Sequence, residues 1–379
     1  MTRITTIGLD IAKTTFQVHR EDAEGNFVES RQLRRAAVLD YFAKLEGRCL
    51  AGIEACGTAH YWAREIIKLG HTVKLVPPAR VKSLVLRQKN DAADARAICE
   101  AVKREDIHFV PVKSEEQQSL LMLHSVRDGF IGQRTELMNR LRAHFAEIGV
   151  VVPSGAKHLG ELAARVMAQS QSEASGAAEA PQEAVEAGAA EKPVFEPLPP
   201  RMLIAMRQLV AALNGLRSEI AALDRAIGEA FKANAAAKRL EAIPGVGRFS
   251  AMLLVALFPD PQVFAGGREF AAFLGLVPKQ NSTGGKTKLG RVTKMGNRDV
   301  RRHLFLGAVA VLWRLRAAKG PIASPLARWA KALLDKKPFR LAAMALANKL
   351  ARIAWALMAR GGEYDPAHKP VSPLAAKAA

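Results

Sequence analysis

The first 78 residues hold three apolar, β-branched runs: ITTIGLDIAKTTFQVH (4–19), CLAGIEA (49–55) and HTVKLVPP (71–78). Helix-like segments separate them. Strands alternating with helices predict an α/β domain with a mostly parallel sheet. The first run reads as a single buried strand leading into a hairpin near EDAEGNF (21–27). A helix follows over roughly 36–46, and a second covers GTAHYWAREIIKLG (57–70), closed by Gly70. Within the first run one residue is out of place: Asp10, set among Ile7, Leu9 and Ile11. A carboxylate in the middle of a buried strand is unfavourable unless it is paired or binds an ion.

Three further acids make a set with it. Glu54 ends the second apolar run. RQKNDAADARAI (87–98) places Asp91 and Asp94 three apart, neighbours on one helical face. A basic run, RVKSLVLRQK (80–89), precedes them and reads as a cationic loop, with Arg87 and Lys89 as phosphate contacts. Strand carboxylates converging on a helix-borne pair can hold hard cations through oxygen. Two such ions stabilise the attacking and leaving oxygens of a phosphodiester displacement. Each acid also has a plainer reading. Asp91 can cap its helix, Asp94 can favour the helix dipole, and Glu54 is easily solvated at a strand end. As a set of four, the metal reading leads.

Charge narrows the partner. The net charge is +20, and residues 266–360 carry 20 lysines and arginines against 3 acids. A field concentrated in one segment favours a polyanion, usually nucleic acid, over a general solubility device. No apolar run approaches the ~20 residues of a membrane span; the longest, LFLGAVAVLW (304–313), is flanked by arginines. Cys49, Cys56 and Cys99 lack metal or redox spacing and read as small core or boundary residues. With no signal-peptide layout at MTRITTIGLD, a cytoplasmic location is expected.

The chain divides by composition. Residues 1–110 form the α/β domain and 111–167 a long helix, apolar at helical spacing over 114–149. Residues 168–200, with six glutamates against Lys192 and much Ala, Ser and Pro, read as a flexible acidic linker. Over 201–237, Leu213, Leu216, Ile220, Leu223 and Ile227 step by three and four, a coiled-coil seam. It pairs antiparallel with the 114–149 helix or across a dimer, with a simple core helix the alternative. Residues 238–365 are helical with glycine-rich breaks, and 366–379 form a tail.

Within 238–365, IPGVG (243–247) resembles the hairpin of a helix-hairpin-helix module. There the amides of Gly245 and Gly247 can hold a phosphate, although a plain Pro-Gly turn fits equally. Arg298, Arg301 and Arg302 share a helical face and, with Arg291 and Lys294, form a phosphate-binding stripe. In PKQNSTGGK (278–286), Ser282 and Thr283 precede two glycines, beside Lys286 and Lys288. On its own this stretch reads as a turn. Trp313, Trp329 and Trp355 have apolar neighbours at helical spacing and read as core. His60, His71, His124 and His303 do not cluster and receive no role.

GLDIAK, GIEACGTAHYW and KNDAADARAI resemble the Asp-Glu-Asp-Asp motif of the insertion-sequence 110 and 1111 transposases. LEAIPGVGRFSAMLL and FAAFLGLVPKQNSTGGKTKLGRVTKMGNRDVRRHLF are similar to that family's second domain, in the same order. The resemblance implies a ribonuclease-H-like, RuvC-like first domain, a helical coiled-coil middle and a mostly α-helical C-terminal domain. It implies a site-specific DNA recombinase with magnesium, or manganese in its place, on Asp10, Glu54, Asp91 and Asp94. It also implies a guide non-coding RNA and a serine nucleophile falling in PKQNSTGGK. Counting back from the glycines gives Thr283. Chemistry favours Ser282, whose primary hydroxyl is less hindered, so both stand. Rejoining several strands needs several active sites, so a dimer assembling to a tetramer is expected, nucleoid-associated when active.

Three other readings compete. A junction-resolvase-type nuclease would use the same acids with water. GLDIAKTT also resembles the phosphate loop of actin-like sugar kinases, but no second glycine-rich loop precedes the linker. A non-catalytic scaffold would carry the acids as helix decoration.

Overall fold

The computed structural model describes residues 5–85, 90–153, 155–175, 197–322 and 324–367. Arg87 and Lys89 lie outside them, as does the tail from 368. The chain forms two compact units, one of residues 1–119 with 236–379, the other of 120–235.

The first unit begins with β1 (Thr5–Ile11), β2 (Thr15–Glu21) and β3 (Phe27–Arg34), then α1 (Val38–Ala43), β4 (Cys49–Glu54), α2 (Ala59–Lys68) and β5 (Thr72–Val76). The sheet order is β3-β2-β1-β4-β5. β1, β4 and β5 run parallel, whereas β2 and β3 are antiparallel to their neighbours. The sheet is therefore mixed rather than mostly parallel. The 4–19 run is two strands, not one. It turns at residues 12–14 with no glycine, proline or asparagine to mark the place. β3 has a single buried residue, Leu33. An edge strand with both faces largely wet shows no apolar alternation.

One face of the sheet is covered by α1 and α2, which bury Ile7, Leu9, Phe16, Val18 and Ile53 with Phe42, Trp62 and Ile66. Each such side chain contributes about 1.5–3 kcal/mol of burial. The other face carries α4 (Asp91–Val102), with α3 (Pro78–Leu84) beside it. Part of the basic run expected as a loop is thus helix: Pro78 opens α3 and Val81 is buried. Cys49 and Cys99 are buried, Cys56 is exposed, and all three are free thiols.

The second unit comprises most of α5 (Glu115–Glu147), α6 (Ala156–Ser175) and α7 (Pro200–Ala233). Leu141 and Phe145 of α5, Leu159 and Val166 of α6, and Leu203, Met206, Val210 and Leu213 of α7 share a core. Along α7, Met206, Leu213, Ile220 and Ile227 are all buried, seven residues apart. α7 runs opposite to α5. Arg127 ion-pairs with Asp224 near one end, and Phe145 shares the core with Leu203 at the other. The stretch 168–200, expected as an acidic linker, is helix over its first eight residues. Residues 168–175 complete α6, and the Gln169 side chain brackets the Leu198 backbone with two hydrogen bonds of 3.0 Å. Residues 176–196 lie outside the described residues.

The chain returns to the first unit with α8 (Ala235–Glu241), α9 (Arg248–Leu257), α10 (Gly267–Phe273), β6 (Pro278–Gln280), β7 (Leu289–Val292), α11 (Arg298–Ala317), α12 (Pro325–Lys336) and α13 (Phe339–Arg360). α13 is the one described helix long and apolar enough to cross a membrane, at mean hydropathy 1.3, a candidate that the sequence reading passed over. In this fold it is a core helix: Ala343, Leu346, Leu350 and Ala354 are buried, and it packs on α10 and α11. Trp355 is core as expected, donating from Nε1 to the Pro261 carbonyl at 2.8 Å. Trp313 and Trp329 are not, at 55% and 37% exposed; Arg316 and Lys349 lie over their rings. Each lies on the wet side of a half-buried helix, Trp313 beside Leu312 and Trp329 beside Leu326 and Ala330, which are buried, so apolar neighbours alone did not specify burial. His108 ties the halves of this unit together, 2.6 Å from Glu269.

Candidate active site

Gly8 and Gly52 sit side by side in β1 and β4, and both face α4. A Cβ on Gly8 would fall 2.6 Å from the Cys99 amide nitrogen and inside the Ala95 carbonyl. One on Gly52 would fall 2.9 Å from Ile98 Cγ2. Only residues without side chains let the helix backbone come this close. Two positions along each strand, on the same face, come Asp10 and Glu54. One helical turn before Ala95 and Ile98 come Asp91 and Asp94. Backbone contact thus brings the four acids to one end of the sheet.

Asn90 caps α4, its Oδ1 accepting from the Ala93 amide at 2.8 Å. Asp91 is therefore free of the capping duty. Among the described residues none of the four carboxylates has an ion-pair partner. Asp10 is half-buried with its pKa raised to about 6, first by burial, then by the charges of Asp94, Asp91 and Glu54. No three of the four bring oxygens within 4.8 Å of one another among the described residues. Coupled oxygen donors with no internal counter-charge suit a hard divalent cation. Asn90→Ala should destabilise the first turn by about 1 kcal/mol. Calorimetric titration with a divalent ion should show weaker binding, because both helix acids lie in that turn.

Ser282 and Thr283 lie in the loop between β6 and β7 and are exposed. Thr283 and Lys286 exchange backbone hydrogen bonds of 3.3 and 3.0 Å around Gly284 (φ 55°) and Gly285 (φ 73°), a two-residue hairpin turn. Ser282 Oγ accepts from the Lys288 amide at 3.1 Å and from Gln280 Nε2 at 3.2 Å. Among the described residues no hydrogen bond or ion pair links this hairpin to the four acids.

Comparison with known proteins decides the family. Residues 7–150 match a model described as "Transposase", of the DEDD type in IS110 elements, and residues 237–321 match "Transposase IS116/IS110/IS902 family". A Pseudomonas aeruginosa protein named "Probable family 20 transposase" is 42% identical over 95% of this chain and 98% of its own length. The transposase for insertion sequence element IS1111A of Coxiella burnetii is 34% identical over 96% and 92%. That for IS1328 of Yersinia enterocolitica is 33% identical over 96% and 100%. The chain is an IS110-family transposase.

The transposase acts on DNA, and its cations are unevenly available for that task. Lys286, Lys288, Arg291, Lys294 and Arg298 are exposed, and residues 278–298 contain no acid. Arg302 lies 3.7 Å from Asp299. Arg301 is turned inward: it donates to the carbonyls of Leu274 and Met295 at 3.0 and 2.9 Å, so it clamps a loop instead of extending the stripe. Gly247 is the N-cap of α9, open to solvent, whereas Gly245 packs against the Gly307 backbone of α11.

Some features of the transposase escaped the sequence reading. His19, Glu21 and Cys99 place ligand-type atoms within 4.8 Å of one another. Lys103 Nζ also reaches Glu21, at 2.7 Å, so the group fastens the far end of α4 to β2. Its members meet through strand register, which spacing does not show. Thr58 (φ 69°) holds a left-handed conformation rare for a β-branched residue, in the turn from Glu54 to α2. The unassigned histidines serve packing. His71 bridges the Cys49 amide and Phe42 carbonyl, and His303 meets Ser250 at 3.2 Å. His60 accepts from the Lys113 amide, and burial, then Lys113 and Arg64, push its pKa down to about 4.

Proposed function

We propose that the transposase is a site-specific DNA recombinase that cuts and rejoins strands with Asp10, Glu54, Asp91 and Asp94 as metal ligands and Ser282 as nucleophile, directed by a guide non-coding RNA. The observation that carries this is the approach of Asp94, Asp91 and Glu54 to half-buried Asp10, with no ion-pair partner for any of the four among the described residues. Sheet order 3-2-1-4-5, with acids at the ends of adjacent parallel strands and on the facing helix, supports a ribonuclease-H-like, RuvC-like core. Magnesium, or manganese, held there supplies charge stabilisation to the attacking and leaving oxygens.

The chain's own groups do the rest. In the resting hairpin the Lys288 amide and Gln280 both donate to Ser282 Oγ and position it, and one of these hydrogen bonds gives way to free the lone pair that attacks. Attack forms the Oγ–phosphorus bond, and the displaced DNA oxygen takes up the proton that serine loses. Thr283 is the alternative nucleophile. Its backbone closes the turn, but its secondary hydroxyl is more hindered. Lys286, Lys288, Arg291, Lys294 and Arg298 hold DNA phosphates, with Gly247 and the neighbouring Gly245 turn offering amides. Arg87 and Lys89 belong to the same role by sequence. The seven-residue burial on α7 and its antiparallel partner α5 support a coiled-coil arm within the chain; the dimer that assembles to a tetramer rests on the need for several active sites. The guide RNA rests on the family resemblance, and the working location is the cytoplasm, at the nucleoid.

The absence of a described contact between hairpin and acids favours one competing reading, hydrolysis by water. Ser282→Ala and Thr283→Ala, singly and together, decide between them. Recombination should be lost with a protein–DNA adduct in one single variant, Ser282→Ala. Metal-dependent cutting that persists undiminished in the double variant, with no adduct in the wild type, would establish a nuclease instead.

A further inference from the structure

On the sheet face opposite α4, but at the same strand ends as the acids, lies an open depression of about 480 Å³ lined by Arg35, Ala36, Leu39, Tyr61 and Trp62. Register fixes its place. Phe16, which packs edge-on against Trp62 at 4.9 Å, pairs with Ile11, next to Asp10. The walls are flat and π-rich. The Arg35 guanidinium lies 5.0 Å over the Trp62 ring, and Tyr61, 44% exposed, meets Trp62 at 5.3 Å.

A further observation says what would fill it. Lys13 is exposed, and its turn is joined to Arg35 by the hydrogen bond from the Arg35 amide to the Thr14 carbonyl, at 3.0 Å. Neither cation has an ion pair among the described residues.

We propose that this depression binds one unpaired nucleotide beside the strand being cut: its base stacks on Tyr61 and Arg35, and Lys13 holds its phosphate. Aromatic faces interleaved with free cations fit single-stranded nucleic acid, because every base has a stacking face and every linkage a charge. A duplex keeps its bases inside the stack and cannot offer one. An apolar protein segment would leave both cations unmatched. The site rests on the nucleic-acid reading above, but on neither the metal nor the serine.

The test uses the full chain, a labelled short single strand as DNA and as RNA, and a blunt duplex of the same sequence. Tyr61→Ala, at an exposed position, should weaken single-strand binding about tenfold and leave duplex binding unchanged. The arm that weakens, DNA or RNA, names the strand. Photocrosslinking of a 5-iodouracil strand should label the peptide holding Tyr61 and Trp62. Arg35→Ala should act in the same direction, with its melting temperature checked. Unchanged single-strand affinity with crosslinks elsewhere would overturn the proposal, as would equal losses on strand and duplex. So would a change in oligomer mass without a change in affinity, which would make the depression a protein contact. If the wild type binds no nucleic acid at all, the recombinase reading falls too. If it binds and cuts while Tyr61→Ala is silent, only this site does.

Discussion

Asp10→Asn transposase should bind its DNA and fail to cut it, losing strand cleavage by about a thousandfold or more. Asparagine keeps the shape and removes the charge that a divalent ion needs. The same change should affect stability in the opposite direction. Burial and three neighbouring acids raise the Asp10 pKa to about 6. In metal-free wild-type protein, between the unfolded carboxylate range near 4 and about 6, the folded state binds more protons than the unfolded one. Stability should therefore fall as pH rises through that window. Asp10→Asn should lack this contribution and melt higher than wild type at pH 7 without metal. Adding a divalent ion should raise the wild-type melting temperature and leave the variant nearly unmoved. A variant that cuts normally, or one that melts lower than wild type without metal, would refute the assignment of Asp10 as a ligand held at a cost in stability.

Gly8→Ala should do more damage to the fold than any surface change. The added methyl meets the Ala95 carbonyl and the Cys99 amide, both backbone groups that cannot rotate away. Either α4 lifts from the sheet or β1 bends. Overpacking of this kind destabilises by about 3 kcal/mol or more, a drop of about 10 °C in melting temperature. Lifting α4 also separates Asp91 and Asp94 from Asp10 and Glu54, so metal binding should weaken in the fraction that remains folded. Gly132→Ala, in open space on α5, is the matched control and should stabilise by about 1 kcal/mol. Equal melting temperatures for the two variants would show that the close approach of helix and sheet matters less than the geometry says.

Much of this could be read before any coordinates. β1 and β4 were legible as apolar runs inside the sheet, and β5, at an edge, as an apolar run stopped by Pro77 and Pro78; α4 was legible through its helical spacing and the Asn-Asp start. The β1–β2 hairpin was not. Its turn at 12–14 lacks turn formers, whereas the β2–β3 turn announced itself in EDAEGNF; β3 itself sits at a wet edge with only Leu33 inside. The four acids could be picked out because Asp10 is anomalous in an apolar run. Their meeting could not, since it depends on parallel register and on two glycines whose importance appears only when α4 lies against them. Trp313 and Trp329 show the reverse error, since apolar residues on the outer side of a half-buried helix resemble a core in one dimension. Arg301 fitted a phosphate stripe by spacing, but its role depends on carbonyls 6 and 27 residues away.

The catalytic unit is discontinuous in sequence, with residues 120 to 235, 116 positions, interposed between its halves. Synthesis therefore imposes an order. At ribosomal speed roughly ten seconds pass before the second half begins to emerge. Until then, α10 cannot offer Glu269 to His108. A ribosome that stalls within the insertion releases a chain holding all four carboxylates but lacking the hydroxyl hairpin. Under the mechanism proposed above, such a fragment could bind an ion yet form no covalent joint with a chromosome.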